Sequence, residues 1–436
     1  MTKLEQIQAA EARLLLSTYD RNPILFVRGE DVCLIDEQGE RYLDLLSGIG
    51  VNALGYAHPA IEEAIAKQSR ALIHTSNLFF HEGQAELAQR LTERTCLDRV
   101  FFSNTGTEAI EGALKLARAH AGLLRSEGKQ IGTKFLVLEH SFHGRTFGAV
   151  SATHKAKYRE PFGPVVPGFE FVRLNDVADL CAKFSDEVCA ILVETIQGEG
   201  GIRPLTQEFF AEARALTLST GALLVADEIQ SGMGRTGKWC AYQHYGIQPG
   251  APTDRSSSVG WQPDVVTLAK PLAGGIPLGA IVCSEEASRA IHAGMHGTTF
   301  GGGPLACAVA IAVIDIIEKD NLLAHATEVG NYFLAQLRAL ALRHNAIIDV
   351  RGKGLMIAAE LDSADLAKLV VAEMLKRRIV INCTSDTVLR FLPPYILQRT
   401  HVDTAIQALD EIFTEQDVAR AATPSAAHSI GGQNRG

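Results

Sequence analysis

Six short apolar runs punctuate the middle of the chain: RVFFS (99–103), KFLVLE (134–139), AILVET (190–195), ALLVADE (222–228), DVVTLAK (264–270) and AIVCS (280–284). Each is nearly continuous rather than alternating, the pattern of strands buried on both faces of a parallel sheet. Stretches at helical spacing lie between them, such as ELAQRLTERT from Glu86 and the set Ile110, Ala113, Leu114 and Ala117. Strands alternating with helices predict an α/β core, whose ligands sit at the carboxyl ends of the strands. The flanks read differently. From about Ile24 the chain alternates and turns at Gly29-Glu30-Asp31 and Glu37-Gln38-Gly39, which predicts a small antiparallel sheet. Beyond about residue 305 come helices, then IIDVRGKGLMIAAEL and TVLRFLPPY with further helices, an α+β arrangement. The first twenty residues read as a short amphipathic helix.

The strand ends carry the candidate chemistry. Lys270 stops a β-branched run and a glycine-rich turn, PLAGGIPLGA, follows. A lysine at a strand end is ordinarily a solvated residue; here it can also be the covalent anchor of a carbonyl cofactor. Asp227 follows five apolar residues, so its carboxylate reads as partly buried and in need of a cationic partner. It is either a helix N-cap or structural salt bridge, or the partner of a protonated ring nitrogen. After RVFFS, the loop Asn104-Thr105-Gly106-Thr107 opens a helix, and a helix N-terminus is an anion site, most often for phosphate. Taken alone, Thr107 reads equally well as a plain cap. The loop HSFHGRTFGA brings Phe142, His143 and Arg145, an aromatic and a cation that are either surface packing or a ring stacker with a carboxylate clamp.

Composition narrows the class. The 436 residues are 47% hydrophobic and 21% charged, as in an ordinary globular protein of two or three domains. A formal charge of -9 argues against nucleic acid as the main partner. The eight cysteines are scattered without C-x-x-C, which speaks against zinc or a disulfide framework and for reduced thiols in a cytoplasm. No basic leader or 18-residue apolar segment is present, so neither a signal peptide nor a membrane span is expected. The stretch CAVAIAVIDII carries Asp315 and reads as a buried core helix. Gly250–Trp261 is loop-like, and the small polar C-terminal stretch reads as a disordered tail.

Six motifs, SNTGTEAIEGALKLAR, SFHGRTFGA, VETIQGEGGIRP, VADEIQSGMGRTGK, TLAKPLAGGIPLGA and HGTTFGGGPLACA, occur in the order found in the class III aminotransferases, which the chain resembles over about residues 20 to 412. The resemblance implies a fold type I, α/β pyridoxal-phosphate enzyme. A large domain with a mainly parallel central sheet (59–304) would be joined by a smaller α+β domain built from both chain ends (1–58 and 305–415), with a tail at 416–436. It implies that Lys270 bonds to the cofactor aldehyde and that Asp227 keeps the pyridine nitrogen protonated. Phe142 and Ile229 would face the two sides of the ring, with His143 beside it and Gln230 at the ring hydroxyl. Thr105, Gly106 and Thr107 would cradle the phosphate, joined by Thr299 from the second subunit of a homodimer. No metal is implied.

The same resemblance implies how one site takes two substrates. Arg145 would hold the distal carboxylate of either, while Glu199 covers Arg390 for the amine donor and releases it for 2-oxoglutarate; Glu194 would support Asp227. GIGVNALGYAHPAI, LIHTSNLFFHEGQAELAQRL and HGTTFGGGPLACAVA look most like members that transfer the δ-amino group of N-acetylornithine in arginine biosynthesis. Neighbouring members take succinylornithine, ornithine, 4-aminobutyrate or a carrier-bound lysine derivative. An aminomutase or a silent binding protein is the reading from other classes, disfavoured by Lys270, Asp227 and the Arg145–Glu199–Arg390 set. A nicotinamide site is disfavoured because no G-x-G-x-x-G follows an early strand. The chain departs from the family pattern at Thr195, where proline is usual, at Pro271 and Ala273, where glycines are, and at Gly303, where asparagine is.

Overall fold

The computed structural model describes residues 1–245 and 262–422. Gly250–Trp261 and residues 423–436 lie outside the described residues. Three strands, β1 (Phe26–Glu30), β2 (Cys33–Asp36) and β3 (Arg41–Asp44), form the expected antiparallel meander near the N-terminus.

The central sheet has seven strands. Five are parallel neighbours or follow the same direction: β4 (Arg99–Ser103), β5 (Lys134–Leu138), β7 (Val188–Glu194), β10 (Leu223–Asp227) and β11 (Val265–Leu268). A strand the apolar pattern did not single out, β6 (Phe169–Val172), adds to one edge beside β5. β12 (Gly279–Cys283) runs antiparallel to both its neighbours, β11 and β4, giving the order β4-β12-β11-β10-β7-β5-β6. AIVCS thus belongs to the sheet but not to its parallel part. A strand buried on both faces reads as continuously apolar in either direction, so its sequence carries no sign of the reversal.

Every residue of β7, β10, β11 and β12 is buried. The polar side chains stand at or just beyond the strand ends: Glu194 and Asp227 close β7 and β10, and Lys270 follows β11. Between β7 and β10 a two-stranded ladder, β8 (Ile196–Gln197) with β9 (Arg203–Pro204), carries a loop over the carboxyl ends of the sheet.

The C-terminal sheet is β13 (Ile347–Lys353), β14 (Met356–Leu361), β16 (Asn382–Thr384) and β17 (Val388–Phe391), in the order β13-β14-β17-β16. Both chain ends meet at β15 (Ile379–Val380), which pairs in parallel with β3, Leu43 opposite Ile379. The apolar helix Pro304–Lys319 is a core helix, as expected: Cys307, Val309, Val313, Ile314 and Ile317 are all fully buried. The last helix, Arg399–Ala422, continues past residue 416, where a tail was expected to begin. No helix among the described residues is long and apolar enough to cross a membrane.

Candidate active site

Five segments, each following a different strand, converge on one cavity of about 390 Å³ at the carboxyl end of the central sheet. Its walls include Thr105, Gly106 and Thr107, then Phe142, His143 and Arg145, then Glu194 and Glu199, then Asp227, Ile229 and Gln230, and Lys270. Thirteen of the fourteen residues singled out from the sequence as site residues therefore line it or, for Arg390, bond directly to residues that do. Thr299 is the exception: it is exposed and lies outside the lining.

Asp227 is the last residue of β10 and is 5% exposed. Its Oδ1 accepts from the backbone N–H of Ile229 (3.0 Å) and from the Thr267 hydroxyl (3.3 Å). Its Oδ2 lies 2.7 Å from Nδ1 of His143, so the imidazole donates to it from this nitrogen. The other ring nitrogen, Nε2, is buried without a partner among the described residues. The carboxylate is thus fixed in orientation by three donors while remaining on the cavity wall.

Glu194, one strand over, ends β7. Its two oxygens accept the backbone N–H groups of Phe142 and Gly198, both at 2.8 Å. It ties the Phe142 loop to the β8–β9 loop. Burial pushes its carboxyl up to about 7, the charge of Asp227 adding to this and His143 opposing it.

Lys270 follows β11 and adopts a left-handed backbone, φ +40°. For a non-glycine residue such a conformation costs on the order of 1–3 kcal/mol and persists only where surrounding structure enforces it. Enforcement comes from the turn after it, a short helical turn over Lys270–Ala273 in which the Leu272 N–H donates to the Ala269 carbonyl (2.9 Å). Pro271 sits in its first turn, where no backbone donor is required, and Leu272 and Ala273 are fully buried. The residues that stand in place of the family's glycines are therefore accommodated. The amine has no hydrogen-bond partner among the described residues. Burial holds its pKa below that of an ordinary lysine, against the pull of Asp227 and Glu199.

The helix Gly106–Ser126 points its N-terminus into the cavity, capped by Thr105, whose hydroxyl accepts the Glu108 N–H (3.3 Å). A Cβ at Gly106 would lie 2.8 Å from Ile229. At Gly144, φ +133°, a Cβ would fall 2.3 Å from the Thr107 hydroxyl. Both glycines keep this corner open. Thr107 Oγ1 also pairs with Thr146 Oγ1 at 2.9 Å.

Two arginines reach the cavity in opposite states. Arg390, on β17, is 1% exposed; it donates to Glu199 Oε1 (2.5 Å), Asn382 Oδ1 (3.1 Å) and Gln230 Oε1 (3.3 Å). Burial pushes the Glu199 carboxyl up, but the charge and hydrogen bond of Arg390 outweigh this and hold it below the usual glutamate value. Arg145 is exposed and has no carboxylate within ion-pair distance among the described residues. Its guanidinium lies 3.7 Å from the ring centre of Tyr158 and 5.5 Å from that of Phe142.

The expected pyridoxal phosphate has a phosphate, a ring nitrogen and an aldehyde. The donor set fits all three: a helix N-terminus with hydroxyls, a fixed buried carboxylate, and a lysine amine without a partner. The unpartnered His143 Nε2 adds a buried polar atom beside Asp227.

Several wall residues were not singled out from the sequence: Val51, Asn104, Gly144, and the run Gly275 to Leu278 that follows Lys270. Asn104 bridges two segments, its amide donating to Glu108 (2.9 Å) and to Thr298 Oγ1 (3.1 Å). Its place within the SNTGT motif was the available signal. Tyr158, in the short helix Ala156–Arg159, offered none.

Comparison with known proteins agrees with the geometry. The family model for aminotransferase class-III matches residues 16–413. The acetylornithine aminotransferase of Caldanaerobacter subterraneus subsp. tengcongensis is 44% identical over 405 residues, 93% of this chain and 98% of that protein. That of Methanocaldococcus jannaschii is 44% identical over 408 residues, covering 93% and 97%. Among solved structures, the ornithine aminotransferase from Toxoplasma gondii superposes with a TM-score of 0.88 at 30% identity, over 96% of this chain and 97% of that one. The acetylornithine aminotransferase from Elizabethkingia anophelis gives 0.81 at 29% identity, over 95% and 100%. With the family model spanning nearly the whole chain and these relatives matching end to end, the protein belongs to the class-III aminotransferases, enzymes that use pyridoxal phosphate.

Proposed function

We propose that the protein transfers the δ-amino group of N-acetylornithine to 2-oxoglutarate, giving N-acetylglutamate semialdehyde and glutamate. The observation that carries the reading is the contrast between the arginines: one open, Arg145, and one covered, Arg390 with Glu199. An open arginine at the mouth suits a donor whose carboxylate is remote from its reacting amine. A covered arginine deeper in suits an acceptor with a carboxylate next to its keto group, once Glu199 moves aside. The names of the relatives support the same donor.

The bound cofactor supplies an aldehyde for the amine and a protonated ring that draws electrons from the reacting carbon. The chain's residues do the rest. Asp227, held by His143, Thr267 and the Ile229 N–H, keeps the proton on the ring nitrogen. Lys270 would anchor the aldehyde; burial lowers the pKa of its amine, which favours the neutral form that could carry a proton at the reacting carbon. Thr105, Gly106 and Thr107 hold the phosphate through the helix N-terminus. Phe142 and Ile229 exclude water from the ring faces. Arg145 binds the distal carboxylate, and Glu199 alternates with the acceptor carboxylate on Arg390.

We further infer a homodimer. Leu72, Ile73, Leu78, Phe79, Phe80 and Phe300 form an exposed apolar surface where segments 72–84 and 295–302 meet, tied by Asn77 to Thr298 and Gly301. An apolar surface of this kind calls for cover. A second copy there would bring Thr299 to its neighbour's phosphate site. The same reading puts the enzyme in the cytoplasm and divides it into a large domain, 59–304, and a small one, 1–58 with 305–415.

The test is a single-turnover absorbance titration of the cofactor-loaded enzyme, without 2-oxoglutarate, using N-acetylornithine, ornithine and 4-aminobutyrate separately. N-acetylornithine should bleach the cofactor band at the lowest concentration. If ornithine or 4-aminobutyrate does so instead, the donor is wrong and the family assignment stands.

A further inference from the structure

We propose that Thr384 and Ser385, at the tip of the β16–β17 hairpin, are positioning residues for Glu199, pinning its backbone so that its carboxylate alone moves on and off Arg390. The proposal rests on the reading of Glu199 as the cover of Arg390 and adds how that cover is held.

The backbone carbonyl of Glu199 accepts two hydroxyls, from Thr384 (2.7 Å) and from Ser385 (3.0 Å). Both acceptor positions of the oxygen are thereby used. The flanking residues are fixed as well. Gly198 N–H donates to Glu194 (2.8 Å), and the Gly201 carbonyl accepts two bonds from Arg351 (2.9 and 2.6 Å). Five hydrogen bonds thus hold the backbone across residues 198–201, four of them from the C-terminal sheet and its hairpin. The Glu199 side chain, by contrast, is one third exposed and is held by its ion pair to Arg390 and a hydrogen bond with Gln230. Rotation of the side chain breaks these two contacts; moving the loop breaks the backbone set as well.

The hairpin tip is built for this contact at some conformational cost. Ser385 and Asp386 are consecutive non-glycine residues in the left-handed region, φ +49° and +65°. Glycine or asparagine would suit such a turn better. Unfavoured backbone at a functional contact points to a role for the side chains it presents. The same hairpin carries Arg390, paired across the strands with Asn382, whose amide oxygen accepts from the Arg390 Nε. One rigid unit therefore holds both the arginine and the anchor of its cover, which sets the distance between them.

The test compares single-turnover rates of the holoenzyme with N-acetylornithine and with glutamate. The first needs Arg390 covered; the second needs it open. In Thr384→Val/Ser385→Gly, with glycine suited to the φ at 385, the ratio of the two rates should fall about 3- to 10-fold, the loss expected from two neutral hydrogen bonds. Thr384→Ser, which keeps the hydroxyl, should stay within about 2-fold of the parent ratio. Purely structural damage would lower both rates together and leave the ratio unchanged, which overturns the proposal. Glu199→Ala is the reference. If it lowers the ratio and the double variant does not, the pin is wrong and the cover stands; if neither lowers it, the cover itself is wrong. Should the double variant fail to bind cofactor, the single substitutions Thr384→Val and Ser385→Gly carry the same comparison.

Discussion

The floor of the cavity and its mouth are built on different principles. On the floor, Asp227 and Glu194 end buried strands, are nearly inaccessible, and have their carboxylate oxygens occupied by donors from neighbouring loops. At the mouth, Arg145 is exposed against the rings of Tyr158 and Phe142, and Glu199 is held by Arg390 and Gln230. Groups that serve the same chemistry in both half-reactions can be locked. Groups that meet two different substrates in turn must be free to exchange partners. Substitutions on the floor should therefore disable both half-reactions equally, whereas substitutions in the Glu199–Arg390 pair should separate them.

The largest effect falls on the floor. Asp227→Asn removes the negative partner of the ring nitrogen while keeping its shape, and both half-reactions should slow by about 10²- to 10⁴-fold, the usual range for a lost proton-holding group. Stopped-flow rates with each substrate check this. A selective loss of one half-reaction would break the division between floor and mouth.

Beneath the mouth, Arg390→Ala should cost 2-oxoglutarate about 100-fold in kcat/KM, as for a buried charge-assisted pair. The N-acetylornithine half-reaction should change far less. Arg145→Ala should instead weaken both substrates, since each presents a distal carboxylate.

Glu194 sharpens the floor side through pH. Its carboxyl is raised from 4.5 to about 7, so the folded protein holds its proton more tightly than the unfolded chain does. The stability this contributes is complete below pH 4.5 and is lost as pH rises through about 7. The full difference amounts to about 3 kcal/mol. Glu194→Gln cannot ionise. Its unfolding midpoint in the cofactor-free protein should thus gain on the parent between pH 5 and 8, and a constant gap would contradict the assignment.

Tyr158 gives the smallest change. It lies beneath the guanidinium of Arg145. Tyr158→Leu should raise KM for both substrates about 3- to 10-fold through the lost cation–π contact, with kcat little altered. Tyr158→Phe, which keeps the ring, should restore the parent value.

The same division marks what could be read from the sequence. The floor was legible: apolar runs ending in Asp227 and Lys270 announce buried strands with polar ends, and the loop at Gly106 announces a helix N-terminus. Sheet order was not. AIVCS has the composition of its parallel neighbours yet runs against them, and FEFV at the sheet edge, where only Val172 is buried, lacks a continuous apolar signature. Of the mouth, Arg145 was a candidate clamp from its loop, while Glu199 and Arg390 were reached only through family motifs. Their supports were not legible, because Tyr158, Thr384 and Ser385 act through contacts between segments distant in the chain, and no local pattern records such contacts.

The account stands or falls on Lys270. The direct measurement is borohydride reduction of the enzyme loaded with pyridoxal phosphate, followed by peptide mapping. The account predicts a single reduced pyridoxyl group, on Lys270. A label on another lysine, or none, would contradict it.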